Sequence, residues 1–260
     1  MFYTTFVQTT SVLITTCLGQ SIPRWEKGHK QDSREVSRMK APWQFAFLTT
    51  SFPFHPIIRL LTTRTNMTVA ATNTEPIAPT LALGAGCYWG TEKFIKKDFQ
   101  KRFPDSIKDA KVGFMSPDPN AKKNPSYREV CSGITGYVEV LFVELNNPTE
   151  GLYEELMKFF FLFHDPTTKN RQGNDAGTQY ASYVFTNGER QTEIATKVAQ
   201  DVQTALDSGK ITTYSRKKVE TLISPANTFY PAHEEHQEYL MKNPSGYCNH
   251  YYRVREFPEL

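Results

Sequence analysis

From Ala78 onward the chain keeps switching between two hydrophobic periods, and that alternation restricts its fold more than any other feature. Short apolar runs at residues 79–83, 109–114, 136–145 and 180–187 read as strands, the third of them, "GYVEVLFVEL", almost continuously apolar. Glu92, Phe94, Ile95, Lys96, Lys97 and Phe99 predict an amphipathic helix after the first run. Further on, "GLYEELMKFFFLFH" sets Leu152, Leu156, Phe159, Phe160 and Phe163 on one broad face. In "ERQTEIATKVAQDVQTAL" the residues Ile194, Val198 and Val202 turn inward. Strands interleaved with helices of this length predict a layered α/β or α+β domain. Beyond about Thr221 the pattern decays into Pro, Asn, Tyr and His. One short helix is expected there, in "PAHEEHQEYLMKN", and this last stretch is expected to wrap the surface more than build the core.

Residues 1–75 lack such patterning and are set apart as an N-terminal extension, disordered or targeting, from a domain spanning 76–260. Residues 1–66 hold 8 Lys+Arg against 3 Asp+Glu, while the rest of the chain holds 22 against 24. The basic excess therefore belongs to the extension, and the body offers no electrostatic case for nucleic acid. The acid-free stretch beginning at Met39, "MKAPWQFAFLTTSFPFHPIIRLLTTRTN", resembles a mitochondrial presequence, and an extension that never folds fits equally well. Met39 and Met67 are both candidate starts, and the expected location is cytoplasmic, or mitochondrial through the extension. No run of 18 uncharged apolar residues occurs, so no membrane span is expected. Cys17, Cys87, Cys131 and Cys248 lie far apart with no CxxC pair. That spacing argues against a zinc knuckle or a disulfide-dense secreted scaffold and suits thiols used chemically inside a cell.

Cys87 stands out among them, in "LALGAGCYWGTEKF". Gly84 and Gly86 permit a turn between strand and helix, which sets the thiol at a helix N-terminus. The N–H groups and dipole there favour an anion, so the thiol is expected to lose its proton readily and act as a nucleophile. A buried structural cysteine fits these residues equally well. Other polar groups sit where a core would not want them. Glu139 interrupts the apolar strand, either as a solvated edge residue or as a buried acid of raised pKa, whereas Glu144 reads as solvent-facing. "NPSYREVCSG" supplies Tyr127 and Cys131. A long polar loop holds His164, Asp165, Asn174, Asp175, Gln179 and Tyr180, and "KNPSGYCNH" carries Cys248.

Together these segments resemble the type A peptide methionine sulfoxide reductases. "GCYWG", "YREVCSG", "HDPTTKNRQGNDAGTQY" and "HQEYLMKNPSGYC" follow in that family's order over roughly residues 79–248, and the resemblance does not reach residues 1–75. It implies an α+β fold, a two-layer sandwich of ferredoxin-like type with a long irregular C-terminal wrap. It implies that Cys87 attacks the sulfoxide sulfur while Tyr88 (commonly Phe in the family) and Trp89 hold the S-methyl group. Glu139 would protonate the oxygen, Tyr127 and Tyr180 would donate hydrogen bonds to it, and Asp175 would support that cluster. Cys248 would then resolve the Cys87 sulfenic acid as a disulfide, which thioredoxin or another dithiol reduces. The implied substrate is the S epimer of methionine sulfoxide, free or in oxidised proteins. No metal or other cofactor, no nucleic acid and no membrane are expected, and the chain is expected to be monomeric.

The chain departs from the family's pattern in three places. It reads Gly136-Tyr137-Val138-Glu139 where Gly-His-Ala-Glu is common, and "GFMSPDP" replaces a Gly-rich segment. None of residues 249–260 is cysteine, so Cys248 is expected to present the disulfide to the reductant itself. Cys131 is read as a packed thiol. Three rival readings are weaker. A cysteine hydrolase using His164, His233 or His250 as base leaves Glu139 and Cys248 unexplained. A thiol redox sensor leaves the tyrosines and carboxylates without a purpose. Zinc held by Cys131, Cys248, His233 and His236 lacks paired-cysteine spacing, and the His-x-x-His reads as a solvated face.

Overall fold

In the computed structural model, which describes residues 77–259, the expected alternation begins with β1 (Thr80–Ala85), α1 (Tyr88–Lys93), α2 (Gln100–Arg102) and β2 (Ile107–Met115). It continues through α3 (Tyr127–Cys131), β3 (Val138–Leu145), α4 (Glu150–Phe160) and the short pair β4 (Arg171–Gln172) and β5 (Asp175–Ala176). After these come β6 (Ser182–Thr186), α5 (Glu189–Asp207), β7 (Leu222–Pro225), β8 (Tyr230–Pro231) and α6 (Tyr239–Lys242). The extension expected over residues 1–75 lies outside the described residues.

Strands β6, β1, β3 and β2 lie side by side in that order, every neighbouring pair antiparallel. With α1 between β1 and β2 and α4 between β3 and β6, this is the ferredoxin-like path that the resemblance implied. The pleat explains the layering. On one face Leu81, Leu83, Leu141, Val143 and Val184 pack with Ile95, Phe99, Leu156, Phe160, Val198 and Val202 of the helices. On the other, Ala82, Val138, Val140 and Phe185 form a smaller cluster with Phe142 and Phe229. At roughly 25 cal/mol per Å², the first and larger cluster supplies most of the hydrophobic stabilisation. Helix starts follow local chemistry. Thr149 caps α4 by accepting from the Leu152 amide at 3.2 Å, and Ser126 with Glu129 forms a reciprocal capping box on α3.

The C-terminal stretch does more than wrap the surface. β7 adds to β6 in parallel and β8 adds to β2 in antiparallel fashion, so the tail covers both edges of the sheet. The single helix expected in residues 231–243 is also broken. A three-residue turn, Glu234–His236, is separated from α6 by Glu238 at φ 56°. Tertiary partners outcompete the helix there. The Gln237 side chain accepts from the Val112 amide and donates to its carbonyl, both at 2.9 Å, and the Glu238 amide donates to Glu92 at 2.7 Å. Among the described residues no helix is long and apolar enough to cross a membrane.

Candidate active site

β1 ends at Ala85, and Gly86 turns the backbone at φ 93°. A side chain at Gly86 would collide with Gln172, since its Cβ would stand 2.4 Å from the Gln172 Cβ. This turn leaves Cys87 half-buried as the N-cap of α1. The local arrangement is the one expected, but its electrostatic outcome is the reverse. Burial pushes the thiol well above its ordinary 9.0, and Glu139, Asp175 and Cys248 push the same way, opposed only by the nearby Trp89 backbone amide. The expectation of a readily ionised thiol is therefore corrected: α1 runs only six residues before a π-helical turn (Phe94–Phe99), and desolvation outweighs its dipole.

Glu139 lies opposite Phe114 in the β2–β3 register, on the helix-facing side of β3, and is only 2 % exposed. Its Oε2 accepts from the Tyr88 amide at 3.2 Å. Burial, with Asp175 adding to it, pushes its pKa up to about 8, so the carboxyl is neutral at pH 7. This is the buried-acid alternative, not the solvated one. Glu144 points to the other face, partly exposed, and pairs with Lys108 at 2.6 Å.

Aromatic rings close the site. Trp89 stacks on Tyr239 with centroids 3.9 Å apart, and His236 lies between Trp89 at 5.8 Å, Tyr127 at 4.7 Å and Tyr88 at 5.8 Å. Tyr180, in the turn Thr178–Tyr180, has its pKa raised by burial first and then by Glu139, Asp175, Cys87 and Tyr127. Asp175, held in β5, accepts from the Tyr247 hydroxyl at 3.0 Å and the Asn249 side-chain amide at 2.8 Å. Burial pushes the Asp175 carboxyl up as well. The Cys248 sulfur lies 3.8 Å from the His250 carbonyl, and it is near enough to Cys87 for its charge to act there. Cys87, Tyr88, Trp89, Tyr127, Glu139, Asp175, Tyr180 and Cys248 are thus brought to one place. Such a cluster offers a nucleophilic sulfur, a neutral acid, hydroxyl donors and an apolar wall.

Cys131, read as a packed thiol, closes α3 half-buried, and the Gln179 side chain donates to its carbonyl at 3.4 Å. His236, read in the sequence as part of a solvated face, is only 7 % exposed. The aromatic-rich spacing of "HQEYLMKNPSGY" was the available signal for His236 and Tyr239 as wall residues. His164 and His250, two of the bases weighed for Cys87, are engaged elsewhere. His164 donates from Nδ1 to the Phe160 carbonyl at 2.7 Å and accepts from Ser182 at Nε2, and burial pulls its pKa down to about 3. His250 donates to the Ala85 carbonyl, and burial pulls it down to about 4. Among the described residues no three His, Cys, Asp or Glu side chains form a group that could hold a metal ion.

The family model described as peptide methionine sulfoxide reductase matches residues 79–257. The chain is 39 % identical over 165 residues to peptide methionine sulfoxide reductase MsrA of Methanothermobacter thermautotrophicus, an alignment covering 64 % of this chain and 88 % of that one. It is 39 % identical over 178 residues to the peptide methionine sulfoxide reductase of Saccharomyces cerevisiae, covering 66 % and 89 %. Among solved structures, Mxr1 from Saccharomyces cerevisiae in reduced form superposes with a TM-score of 0.57 at 39 % identity, covering 67 % of this chain and 92 % of that one. Methionine sulfoxide reductase A of Corynebacterium diphtheriae does so at 0.54 and 33 %, covering 71 % and 85 %.

Proposed function

This chain belongs to the peptide methionine sulfoxide reductase family, and from that premise we propose how its own residues reduce methionine sulfoxide to methionine. The observation that carries the reading is the buried Glu139 carboxyl, tied to the Tyr88 amide, neutral at pH 7 and within electrostatic reach of Cys87. The sulfoxide methyl rests on the faces of Trp89 and Tyr88, and its oxygen receives hydrogen bonds from Glu139, Tyr127 and Tyr180. Negative charge builds on that oxygen as the S–O bond weakens, and the Glu139 proton neutralises it. The Cys87 sulfur bonds the substrate sulfur, and the thiol proton replaces the one Glu139 gave up. Starting from a neutral thiol and a neutral acid avoids two anions in one buried site. The hydroxyl then passes to the Cys87 sulfur as the bond between the two sulfurs and the substrate S–O bond break, so one oxygen has moved from substrate to enzyme, leaving thioether and sulfenic acid.

Cys248 then condenses with the sulfenic acid to a disulfide, and thioredoxin reduces it by thiol exchange. Asp175, holding Tyr247 and Asn249, sets the back of the oxygen-binding cluster. The substrate is the S epimer, free or within oxidised proteins, the catalytic unit is one chain, and no metal or organic cofactor enters. A turnover assay with the separated S and R epimers, reduced by thioredoxin, tests this reading. Methionine release from the S epimer alone is expected, and equal release from both epimers overturns the stereochemical part. Absence of any release overturns the roles given to Cys87 and Glu139.

A further inference from the structure

The residues that follow Cys248 are tied to the cradle of Cys87. Asn249 donates its side-chain amide to the Gln172 carbonyl at 2.6 Å and to Asp175 Oδ2 at 2.8 Å. His250 donates from Nε2 to the Ala85 carbonyl at 2.6 Å, because a carbonyl can only accept. Its ring also lies against α1, where a Cβ on Gly90 would stand 2.0 Å from Nδ1. Ala85 and Gly90 bracket Cys87 in sequence. One buried side chain therefore touches both flanks of the first thiol, while its own carbonyl lies 3.8 Å from the sulfur of the second. Burial keeps this imidazole neutral, so the Nε2 proton stays in place around neutral pH.

We propose that His250, backed by Asn249, is a positioning residue of the recycling step, holding Cys248 where it meets the oxidised Cys87. The inference rests on the two-cysteine chemistry proposed above and deepens it. In that step the Cys248 sulfur bonds the Cys87 sulfur and the Cys87 S–O bond breaks. The hydroxide leaves with the Cys248 thiol proton as water. Cys248 is oxidised and the sulfenic sulfur is reduced, so no further oxidant or reductant is required. The rate of such an intramolecular condensation follows the effective concentration of the attacking thiol, which a tether sets. His250 lies outside the aromatic wall and makes no hydrogen bond to the Glu139 carboxyl, so its loss falls on the recycling step and not on the preceding oxygen transfer.

Rapid-quench kinetics on the full chain, with methionine sulfoxide as substrate and no reductant, test the proposal by following methionine release and thiol loss in the same samples. His250→Ala is expected to release about one methionine per chain at close to the wild-type rate. It should form the disulfide at least about tenfold more slowly, as the effective concentration of the thiol falls. A dimedone-reactive sulfenic acid should persist in the interval. His250→Gln, whose amide can still reach the Ala85 carbonyl, should recover most of the rate. Where His250→Ala does not fold, His250→Asn, whose shorter amide falls short of the Ala85 carbonyl, carries the same comparison against His250→Gln. Disulfide formation at the wild-type rate in the variants overturns the proposal and leaves the functional reading standing. So does a parallel slowing of methionine release and disulfide formation, which would make these residues supports of the whole site. Wild-type enzyme that releases no methionine overturns the functional reading itself, and the proposal with it.

Discussion

The Tyr88 amide donates to the Glu139 carboxyl at 3.2 Å across 51 residues of sequence. That bond ties the first residue of α1, adjacent to the reactive thiol, to the acid on β3. The acid is thereby anchored to the backbone beside the nucleophile, which sets a proton donor next to the reactive sulfur.

Glu139→Gln should bind substrate nearly normally and slow the chemical step by about 10² to 10⁴, the usual worth of a general acid. The amide keeps the shape and still donates a hydrogen bond, but it has no proton to transfer. Glu144→Gln, on the opposite face of the same strand and paired with Lys108, should change the rate hardly at all. Single-turnover kinetics compare the two directly. Equal behaviour would transfer the proton to Tyr127 or Tyr180.

The pKa of Glu139 also sets a pH dependence. Its carboxyl sits at about 8 instead of 4.5, so the reductive step should hold near neutral pH and fall as pH rises through about 8. The stability effect has the matching sign. A raised carboxyl contributes its full share below the unfolded value of 4.5 and loses it as pH rises through the folded value of about 8. Glu139→Gln cannot ionise, so its melting temperature relative to wild type should climb across that window. Thermal melts in a pH series measure the difference, and a flat difference would mean that Glu139 titrates as a solvated group.

Cys87→Ser should abolish methionine release while keeping the fold, since a hydroxyl is a far poorer nucleophile at neutral pH. Activity within about tenfold of wild type, a loss of only ~1.4 kcal/mol in the barrier, would remove Cys87 from the nucleophile's role. Cys248→Ser should release about one methionine per chain, then stall with thioredoxin as sulfenic acid accumulates. Unchanged steady-state turnover with thioredoxin would mean that another thiol resolves the intermediate.

Glu92 is the fourth test. It is 1 % exposed, accepts the Glu238 amide at 2.7 Å, and is pushed up by burial to about 7. Glu238 adopts φ 56°, costly for a residue with a Cβ, at the junction between His236 and Tyr239. Glu92→Ala should loosen that junction and raise KM more than it lowers kcat, because His236 and Tyr239 wall the apolar side of the site. Glu92→Gln keeps an acceptor for the Glu238 amide and should restore KM. Steady-state kinetics that show a fall in kcat alone would refute this positioning role.

The sequence by itself determined the strands, the long helices and the order of the chemical groups along the chain. Residues 136–145 and 189–206 carry periods that a single neighbourhood can enforce, so β3 and α5 were legible there. Cys87 was legible because glycines beside a thiol and two aromatic residues make a local arrangement that packing alone does not require. What only the tertiary structure decided came from partners distant in sequence. The two ends of the Glu92–Glu238 bond are 146 residues apart and those of the His250–Ala85 bond 165, and these contacts break the expected C-terminal helix and fix the second thiol's segment. The edge strands β7 and β8 are short, with no period to read, and exist because the sheet beside them offers unpaired backbone groups. The charge state of Cys87 was likewise undecided by sequence. A helix N-terminus is a local property and favours the thiolate, but burial beside Glu139 arises only when β1 and β3 pair, and desolvation is the larger effect.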